Sequence, residues 1–307
     1  MTNSPASIPD GVLLLDKPEG LTSFEVVKKI KPWVAPLKVG HTGTLDPMAT
    51  GLLPLCLGEA TKLIQFLKAA PKRYRARVSL GISTDTYDRE GREISRVPVP
   101  DLDDATVLEC LQFFTGEIQQ VPPMYSALRH RGKRMYELAR EGIEVEREPR
   151  TICISGLDLT GRGPDWLELD VTCSAGTYIR SLAADIAAEL KTVGHLAELT
   201  RLETDGWELS SAHRLEDLNQ ERLADLVIPL ESVLERFERV DVDEHTGTRL
   251  RQGQHLTSRE LESLGVHSAG RKKIVWFRPP AGRPLVLAEV EGTQLKMEIQ
   301  RVLLPAQ

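Results

Sequence analysis

The sequence predicts a protein of the α+β class with a second, smaller and mainly β domain at its C-terminus. Two segments, YRARVSL and LELDVTC, alternate apolar and polar residues, as strands with one buried face do. Other segments repeat apolar residues every three or four positions, which predicts amphipathic helices. From about residue 240 the pattern changes to short strands separated by glycine and proline turns.

Length and composition set the outer limits of this prediction. A chain of 307 residues has room for about two domains. We assign residues 1–10 to a flexible arm, 11–239 to the first domain and 240–307 to the second. No run of about 18 apolar residues is present, and the polar N-terminus lacks the apolar centre of a secretion signal. Four cysteines scattered singly suit a reducing compartment, so we expect a cytoplasmic protein without a membrane partner.

The first elements follow from local patterns. An apolar strand begins at Val12 and ends in the turn KPEG. Thr22 and Glu25 then have the spacing of a capping box, which starts a helix whose apolar residues share one face. The segment EATKLIQFLKAA predicts a second helix, and Pro71 ends it.

The centre of the first domain alternates between strands and helices. Tyr74 opens the strand YRARVSL on its apolar face, and a turn-rich connector, TDTYDREGREI, follows. Asp103 or Asp104 caps a helix that has Leu108 on its apolar stripe. Beyond LELDVTC another helix begins; Arg180 lies one position off its apolar stripe and is expected to leave the core near the helix N-terminus. Residues 215–239 predict one or two charged helices.

The charge is distributed unevenly. The net charge is -6, yet 62–77 and 271–283 contain basic residues and no acidic one, and 124–140 is strongly basic. The segment 121–150, with prolines at both ends and interleaved tyrosines, predicts an excursion from the sheet. Local basic patches set the field that a polyanion meets, but solvated surface faces would give the same pattern, so both interpretations stay open.

The stretch GHTGTLDPMATG contains one carboxylate, Asp46, among small, hydroxylic and apolar residues. Pro47 biases Asp46 toward an extended backbone, and three glycines allow sharp bends or a close approach. Asp-Pro is also a common turn. From the residues alone, a turn is the better interpretation and a presented nucleophile the alternative.

Five segments resemble one family. GHTGTLDPMATG resembles the catalytic motif of the TruB family of tRNA pseudouridine synthases, and DKPEGLTS resembles the N-terminal motif of that family. KRYRARVSLGISTDTYDREG and CSAGTYIRSLAADI are similar to the segments that carry its active-site tyrosine and arginine, here Tyr74 and Arg180. The segment from Val121 to about residue 148 resembles an RNA-gripping insertion. The resemblance extends over residues 10–213.

The resemblance implies a pseudouridine synthase fold, with a central mixed and mostly antiparallel sheet flanked by helices, and a PUA-like C-terminal domain for binding RNA. The implied reaction converts uridine to pseudouridine at position 55 in the T loop of tRNA. It needs no cofactor and no metal, and the sequence contains no zinc spacing, P-loop or dinucleotide fingerprint. The implied partner is the T arm of tRNA, and we expect a monomer that needs no guide RNA.

Site residues are carried over by position. The implied catalytic residues are Asp46, which attacks C1′ or removes the C2′ proton, Tyr74, which stacks on the base, and Arg180, which pairs with Asp46. We expect Arg180 to lower the pKa of Asp46 and hold it ionised. The implied substrate-binding residues are His41, Tyr178, Leu199, Lys17, Lys62 and, in the insertion, Arg131, Lys133 and Arg134.

Two alternatives remain at this stage. A guide-RNA-dependent pseudouridine synthase shares the aspartate motif, although the basic insertion favours the stand-alone type. An RNA-binding or tRNA-folding protein without catalysis would also carry basic patches, but it has no need for Asp46, Tyr74 and Arg180 together. Thr200 stands where some family members have arginine, and the C-terminal domain matches the PUA pattern loosely.

Overall fold

The computed structural model describes residues 8–126, 129–130, 133–140, 142–143, 145–267, 271–280, 285–292 and 295–303. The strands are β1 (Gly11–Lys17), β2 (Val39–His41), β3 (Thr50–Leu57), β4 (Lys72–Leu80), β5 (Ile82–Thr84), β6 (Glu93–Arg96), β7 (Gly116–Gln120), β8 (Arg129–His130), β9 (Lys133–Arg134), β10 (Arg150–Arg162), β11 (Trp166–Cys173), β12 (Gly194–Thr204), β13 (Trp207–Glu208), β14 (His213–Arg214), β15 (Ile228–Pro229), β16 (Glu238–Asp241), β17 (Lys273–Arg278), β18 (Leu285–Glu291) and β19 (Lys296–Leu303). The helices are α1 (Ser23–Ile30), α2 (Ile64–Leu67), α3 (Asp104–Phe113), α4 (Met135–Arg140), α5 (Ile179–Glu189), α6 (Leu223–Leu226), α7 (Leu230–Leu234), α8 (Glu244–Arg251) and α9 (Ser258–Ser263).

One large sheet organises the first domain. Its strands run in the order β14-β1-β3-β12-β4-β11-β10-β7, with β2, β13 and β15 paired at the side of this path. The pairs β1–β14 and β3–β12 are parallel, and the other pairs in this sheet are antiparallel. The predicted α+β class with a mixed, mostly antiparallel sheet is therefore confirmed.

The two faces of the sheet bury different apolar clusters. The face that carries Leu13, Leu15, Ala76 and Val78 packs against α1, α3 and α5. Thr22 caps α1 through the predicted capping box with Glu25. Since β4 alternates strictly between buried and more exposed residues, one period-two pattern places its whole apolar set in this core.

Two helix predictions need correction. The stripe of α3 buries Cys110, whereas the side chain of Leu108 is about half exposed (48%). Arg180 on α5 does not leave the core: it is buried, with a relative exposure of 6%. The apolar stripe misses this burial because the partners of Arg180 are polar groups from distant segments.

The segment 215–239 is also different from its prediction. Of the one or two charged helices predicted, it forms two short ones, α6 and α7, together with a 3-10 helix (Leu215–Asp217) and the short strand β15 between α6 and α7. Ile228 pairs with Val12 of β1, and the proline that follows it has no N–H to continue a helix. The pairing of β15 with β1 thus interrupts the helical segment between α6 and α7.

The C-terminal domain is a four-stranded sheet in the order β16-β17-β18-β19, with α8 and α9 packed on it. It also shares a core with the first domain, because Trp276, Leu287 and Leu303 join the cluster that contains Val12 and Leu14 of β1. The ammonium of Lys62 donates to the carbonyl of Val302 at 2.9 Å across the same junction. The two sheets are therefore connected by apolar contact as well as by polar bonds.

The basic insertion leaves the sheet after β7 and returns at β10, with the hairpin β8–β9 and helix α4 between them. This matches the predicted excursion. Lys133 and Arg134 form β9, and their backbone pairs with β8. Arg131 lies outside the described residues, as do residues 1–7 of the expected N-terminal arm.

The shared core predicts that the two domains unfold together. Trp276→Ala removes a buried indole that also donates to the carbonyl of Phe237 at 3.2 Å. We expect the free energy of unfolding to fall by about 3–5 kcal/mol, measured by urea denaturation and circular dichroism. Trp166→Ala, at a partly exposed tryptophan, is the matched control and should cost less. A loss below about 1 kcal/mol for Trp276→Ala would show that the junction adds little stability.

Candidate active site

The Asp46 loop joins β2 to β3, and a side chain at the start of α1 fixes its backbone. Leu45 donates its N–H to Ser23 Oγ at 2.8 Å, and the Ser23 hydroxyl donates back to the Leu45 carbonyl at 3.2 Å. Gly51 has a φ of +98°, and a Cβ there would lie 2.4 Å from the carbonyl oxygen of Arg201. The loop is therefore shaped by a close backbone approach that only glycine allows. Asp46 itself stays about one-third exposed (34%).

Arg180 pairs with Asp46 at two points, an ion-pair contact and a hydrogen bond. Its Nε lies 2.9 Å from Oδ2 and its Nη2 3.3 Å from Oδ1. The remaining donors reach the carbonyls of Thr86 at 3.1 Å and Tyr125 at 2.8 Å. A planar guanidinium with this set of acceptors has one orientation, so Arg180 fixes the position of the Asp46 carboxylate.

Asp88 is a site residue that the sequence prediction did not single out. Its Oδ2 lies 3.4 Å from Nη1 of Arg180, and its side chain is almost fully buried. Its Oδ1 accepts from the Thr86 hydroxyl at 2.6 Å and from the N–H of Glu90 at 3.1 Å. The run TDTYDREG contained this signal, because two of its polar residues bond each other locally and present one carboxylate.

The electrostatics at Asp46 differ from the prediction. Burial raises the pKa of the Asp46 carboxyl above its ordinary value; the charge of Arg180 opposes the rise and that of Asp88 adds to it. Arg180 therefore lowers the pKa of Asp46 as predicted, but the prediction left out desolvation, which outweighs the ion pair and makes the net shift upward. A carboxyl group with a raised pKa binds its proton at a higher pH than a free aspartate does.

Tyr74 lies on β4 and is buried in the apolar core, with a relative exposure of 7%. Burial raises the pKa of its phenol, while the charge of Arg201 and a side-chain hydrogen bond with Arg201 oppose the rise. The negative charge of Asp46 also raises this pKa, so the phenol and the carboxylate interact electrostatically. Tyr74 thus combines a core aromatic with a hydroxyl that faces the charged groups of the site.

Lys17 supports the loop rather than meeting solvent. Its ammonium is fully buried and donates to the carbonyls of Pro18 at 2.9 Å, Leu21 at 2.6 Å and Pro47 at 3.2 Å. Burial lowers the pKa of Lys17 to about 8, although the charge of Asp46 opposes the shift. Of the two predicted roles, phosphate contact or support of the motif loops, the geometry favours support.

Arg201 is a second residue that the sequence prediction missed. It is the largest fully buried side chain among the described residues, and its donors reach the carbonyls of Leu52 at 2.7 Å and Gly43 at 3.1 Å. These carbonyls lie on either side of Asp46 along the chain. The only signal in the sequence was an arginine inside the strand pattern of HLAELTRLET.

The other predicted contacts are distributed around this centre. His41 ends β2, and burial lowers its pKa, as does the charge of Arg201. Tyr178 precedes α5, where it exchanges hydrogen bonds with the side chain of Gln120 at 2.8 and 3.0 Å. Leu199 is buried on β12 beside Ala76. Lys62 is instead at the domain junction, bonded to Glu59 at 2.6 Å.

Several basic residues of the sequence patches are paired with carboxylates or buried. Arg73 pairs with Asp170 at 2.8 Å, and Lys72 is buried against backbone carbonyls. In the C-terminal domain Lys272 lies 2.7 Å from Glu289, and Lys273 lies 2.5 Å from a carboxylate on β16. These pairs reduce the positive field that the two patches would offer to a polyanion.

The part of the chain that the structure describes contains neither a metal-binding cluster nor a membrane-spanning helix. Within it, no three side chains of histidine, cysteine, aspartate and glutamate come together in an arrangement that could hold a metal ion. None of its helices is both long and apolar enough to cross a membrane.

Comparison with known proteins places this geometry in a family. Residues 29–179 match the model of the TruB family pseudouridylate synthase N-terminal domain. The tRNA pseudouridine synthase B of Clostridium tetani is 44% identical over 252 residues, which cover 82% of this chain and 87% of that protein. The chain belongs to the TruB family of pseudouridine synthases. The predicted family is therefore confirmed, and with it the assignment as an enzyme of the pseudouridine synthase type.

Other relatives give the same result. The tRNA pseudouridine synthase B of Aromatoleum aromaticum is 48% identical and covers 82% of both chains; that of Dehalococcoides mccartyi is 41% identical and covers 88% of this chain and 92% of the relative. Among solved structures, one described as a Cbf5-Nop10-Gar1 complex matches with a TM-score of 0.73 and 25% identity, over 97% of this chain and 86% of that chain. The predicted pseudouridine synthase fold is thus confirmed.

The carbonyl contacts of Lys17 predict a large effect on stability. Lys17→Met leaves three buried carbonyls without their donor, so we expect the free energy of unfolding to fall by about 3 kcal/mol in urea denaturation. Lys29→Met, on the exposed face of α1, is the matched control and should change it by less than about 0.5 kcal/mol. Equal effects of the two substitutions would refute a supporting role for Lys17.

Proposed function

We propose that this enzyme isomerises uridine to pseudouridine at position 55 in the T loop of tRNA, in the cytoplasm, without a guide RNA. The observation that carries the proposal is the two-point pairing of Asp46 with Arg180, inside segments that match the TruB family. The names of the relatives, each a tRNA pseudouridine synthase B, support tRNA as the substrate class.

In this proposal Asp46 is the catalytic carboxylate. The N1–C1′ bond of the target uridine breaks, the base turns, and C5 forms a new bond to C1′ before its proton is lost. Asp46 either bonds to C1′ during this sequence or removes the C2′ proton. Both routes need an ionised carboxylate in one orientation, and the guanidinium of Arg180 supplies that orientation.

The walls of the site suit a base that has left its stack. Tyr74 and Leu199 belong to the apolar cluster that also contains Leu45, the residue before Asp46. Tyr178 caps the start of α5, the helix that carries Arg180. Flipping a base out of a folded loop costs a few kcal/mol, which contacts with these side chains would offset. We assign His41 to the nucleotides displaced when the target base leaves.

We assign the grip on the T arm to the insertion at 121–150, including Arg131, Lys133 and Arg134, and a further RNA contact to the PUA-like domain from 240. The basic character of the insertion supports the first assignment, because phosphate contacts dominate nucleic-acid affinity. Internal ion pairs of Lys272 and Lys273 leave the second with less support from charge.

The proposal is tested by incubating the pure protein with unmodified tRNA, without guide RNA, and mapping pseudouridine at nucleotide resolution. We expect one modified uridine, in the T loop. Asp46→Asn should give no product and bind tRNA almost normally, because Arg180 keeps Asp88 and two carbonyls as partners. Asp241→Asn, in an exposed pair with Arg239, is the control. Product from Asp46→Asn, or none from the wild type, would defeat the proposal.

The raised pKa of Asp46 predicts a pH effect. An aspartate whose pKa lies above its ordinary value protonates at higher pH, so activity should be lost as pH falls through that raised pKa. Asp88→Asn removes one cause of the rise and should move the acidic limb of the single-turnover rate to lower pH. The maximal rate should fall by about tenfold, because Arg180 loses a partner.

The control for this effect is Asp85→Asn in the same connector, where the Asp85 carboxylate accepts the backbone N–H of Arg92 at 2.9 Å. Its pH profile should match that of the wild type. An acidic limb that stays in place in Asp88→Asn would show that Asp88 does not set the protonation of Asp46.

A further inference from the structure

Three buried cations lie beneath the Asp46 loop: Lys17, Lys72 and Arg201, here called the loop-base cations. Lys17 reaches the carbonyl of Pro47, and Arg201 reaches that of Gly43. A Cβ placed at Gly43 would lie 3.2 Å from Nη1 of Arg201 and 3.8 Å from Cε of Lys72. Three positive side chains from β1, β4 and β12 thus converge on five residues of one loop.

None of the loop-base cations has a carboxylate within 4.0 Å among the residues that the structure describes. Lys72 donates to the carbonyls of Lys68 and Ala70, both at 3.0 Å, and the other two also use backbone carbonyls. Burying a charge without a counter-ion is costly, and a neutral donor could satisfy a carbonyl at lower cost. A fold that keeps three such charges under one loop maintains a positive potential there.

The positive potential of the loop-base cations extends to Tyr74 and His41, the residues assigned to the target base and its neighbours. The positive charge of Arg201 lowers the pKa of both the Tyr74 phenol and the His41 imidazole. Contact with RNA phosphates is excluded for these cations, because their relative exposures are at most 9%. Their field therefore acts on charge that develops inside the site.

We propose that the loop-base cations stabilise the uracil anion that forms when the N1–C1′ bond breaks. This inference rests on the proposed function. In heterolysis the bonding electron pair leaves with N1, so the detached base carries one negative charge until C5 bonds to C1′. Both the covalent and the elimination route pass through this anion. Positive groups fixed in a low-dielectric interior stabilise such charge without having to reorganise.

In this scheme Arg201 is a positioning residue, since its charge acts on the hydroxyl of Tyr74. A positive charge near a phenol polarises the O–H bond, and the polarised hydroxyl is a better donor to the anionic base. Lys17 and Lys72 add to the potential from the two sides. Asp46 is held in place by Arg180 and keeps its own role.

The test compares two leaving groups. A 5-fluorouridine at the target position releases a more stable anion than uridine, so it depends less on positive potential. Single-turnover loss of the target nucleoside is measured for both tRNAs with the wild type, Arg201→Gln, which keeps a donor without charge, and Arg201→Lys, which keeps the charge. Tight-binding conditions and melting temperatures separate the chemistry from affinity and folding.

We expect Arg201→Gln to slow the reaction of uridine tRNA by about tenfold or more, and that of 5-fluorouridine tRNA by clearly less. Arg201→Lys should slow both by the same factor. Lys72→Met should show the selective pattern of Arg201→Gln, and it carries the test if Arg201→Gln does not fold. Arg96→Gln, in an exposed ion pair with Glu93, should leave both rates unchanged.

Equal slowing of the two substrates by Arg201→Gln and by Lys72→Met would overturn the inference, because the cations would then serve the loop conformation alone. Unchanged rates would overturn it as well. Failure of the proposed function has a different appearance, since the wild type would then form no pseudouridine in the uridine tRNA and would consume the target nucleoside in neither tRNA.

Discussion

The guanidinium of Arg180 is the group on which the rest of the site depends. It joins the Asp46 loop, the connector around Thr86 and Asp88, and the root of the insertion at Tyr125. These segments are far apart in the sequence and meet at one planar cation. Removing any acceptor would leave a buried donor unpaired, which costs about 1–3 kcal/mol. The shared bonds to Arg180 therefore fix the positions of the three segments relative to one another.

The Asp46 loop obtains its shape from main-chain groups rather than from its own side chains. Ser23, Lys17 and Arg201 all bond to its backbone, and Gly51 lets strand β12 come close behind it. Such support is independent of the charge on Asp46. Main-chain support explains how the Asp46 carboxylate can face a substrate while the loop around it stays fixed. The same hydrogen bonds give the buried cations Lys17 and Arg201 acceptors in the loop.

Much of the fold follows from local sequence patterns, and much of the site does not. The alternation in YRARVSL and the capping box at Thr22 are local signals, and both are found as predicted. Arg180 and Arg201 are different, because what buries them is a set of carbonyls and carboxylates supplied by distant segments. The residues adjacent in sequence do not indicate such partners. The apolar periodicity therefore predicted a surface position for Arg180 and gave no reason to select Arg201.

The family resemblance located Asp46, Tyr74 and Arg180, but it did not distinguish residues that contact a substrate from residues that hold the loop. Lys17 illustrates the difference, since only its burial and its three carbonyl acceptors show which kind it is. Basic patches present the same problem on the surface. Whether a lysine is available to a polyanion depends on carboxylates across the sheet, such as Glu289 opposite Lys272.

The root of the insertion has a consequence for anyone who would exchange this segment between relatives. Gln120 and Tyr178 bond each other twice, the hydroxyl of Ser181 donates to the carbonyl of Val121 at 3.0 Å, and Arg147 reaches the carbonyl of Pro122 at 3.1 Å. The start of the insertion is therefore bonded to the beginning of α5 and to Arg147 near its own end, and the segment cannot be exchanged as an independent unit. A chimaera that respects these bonds takes its foreign segment from beyond Ser126 and returns to the native chain before Arg147.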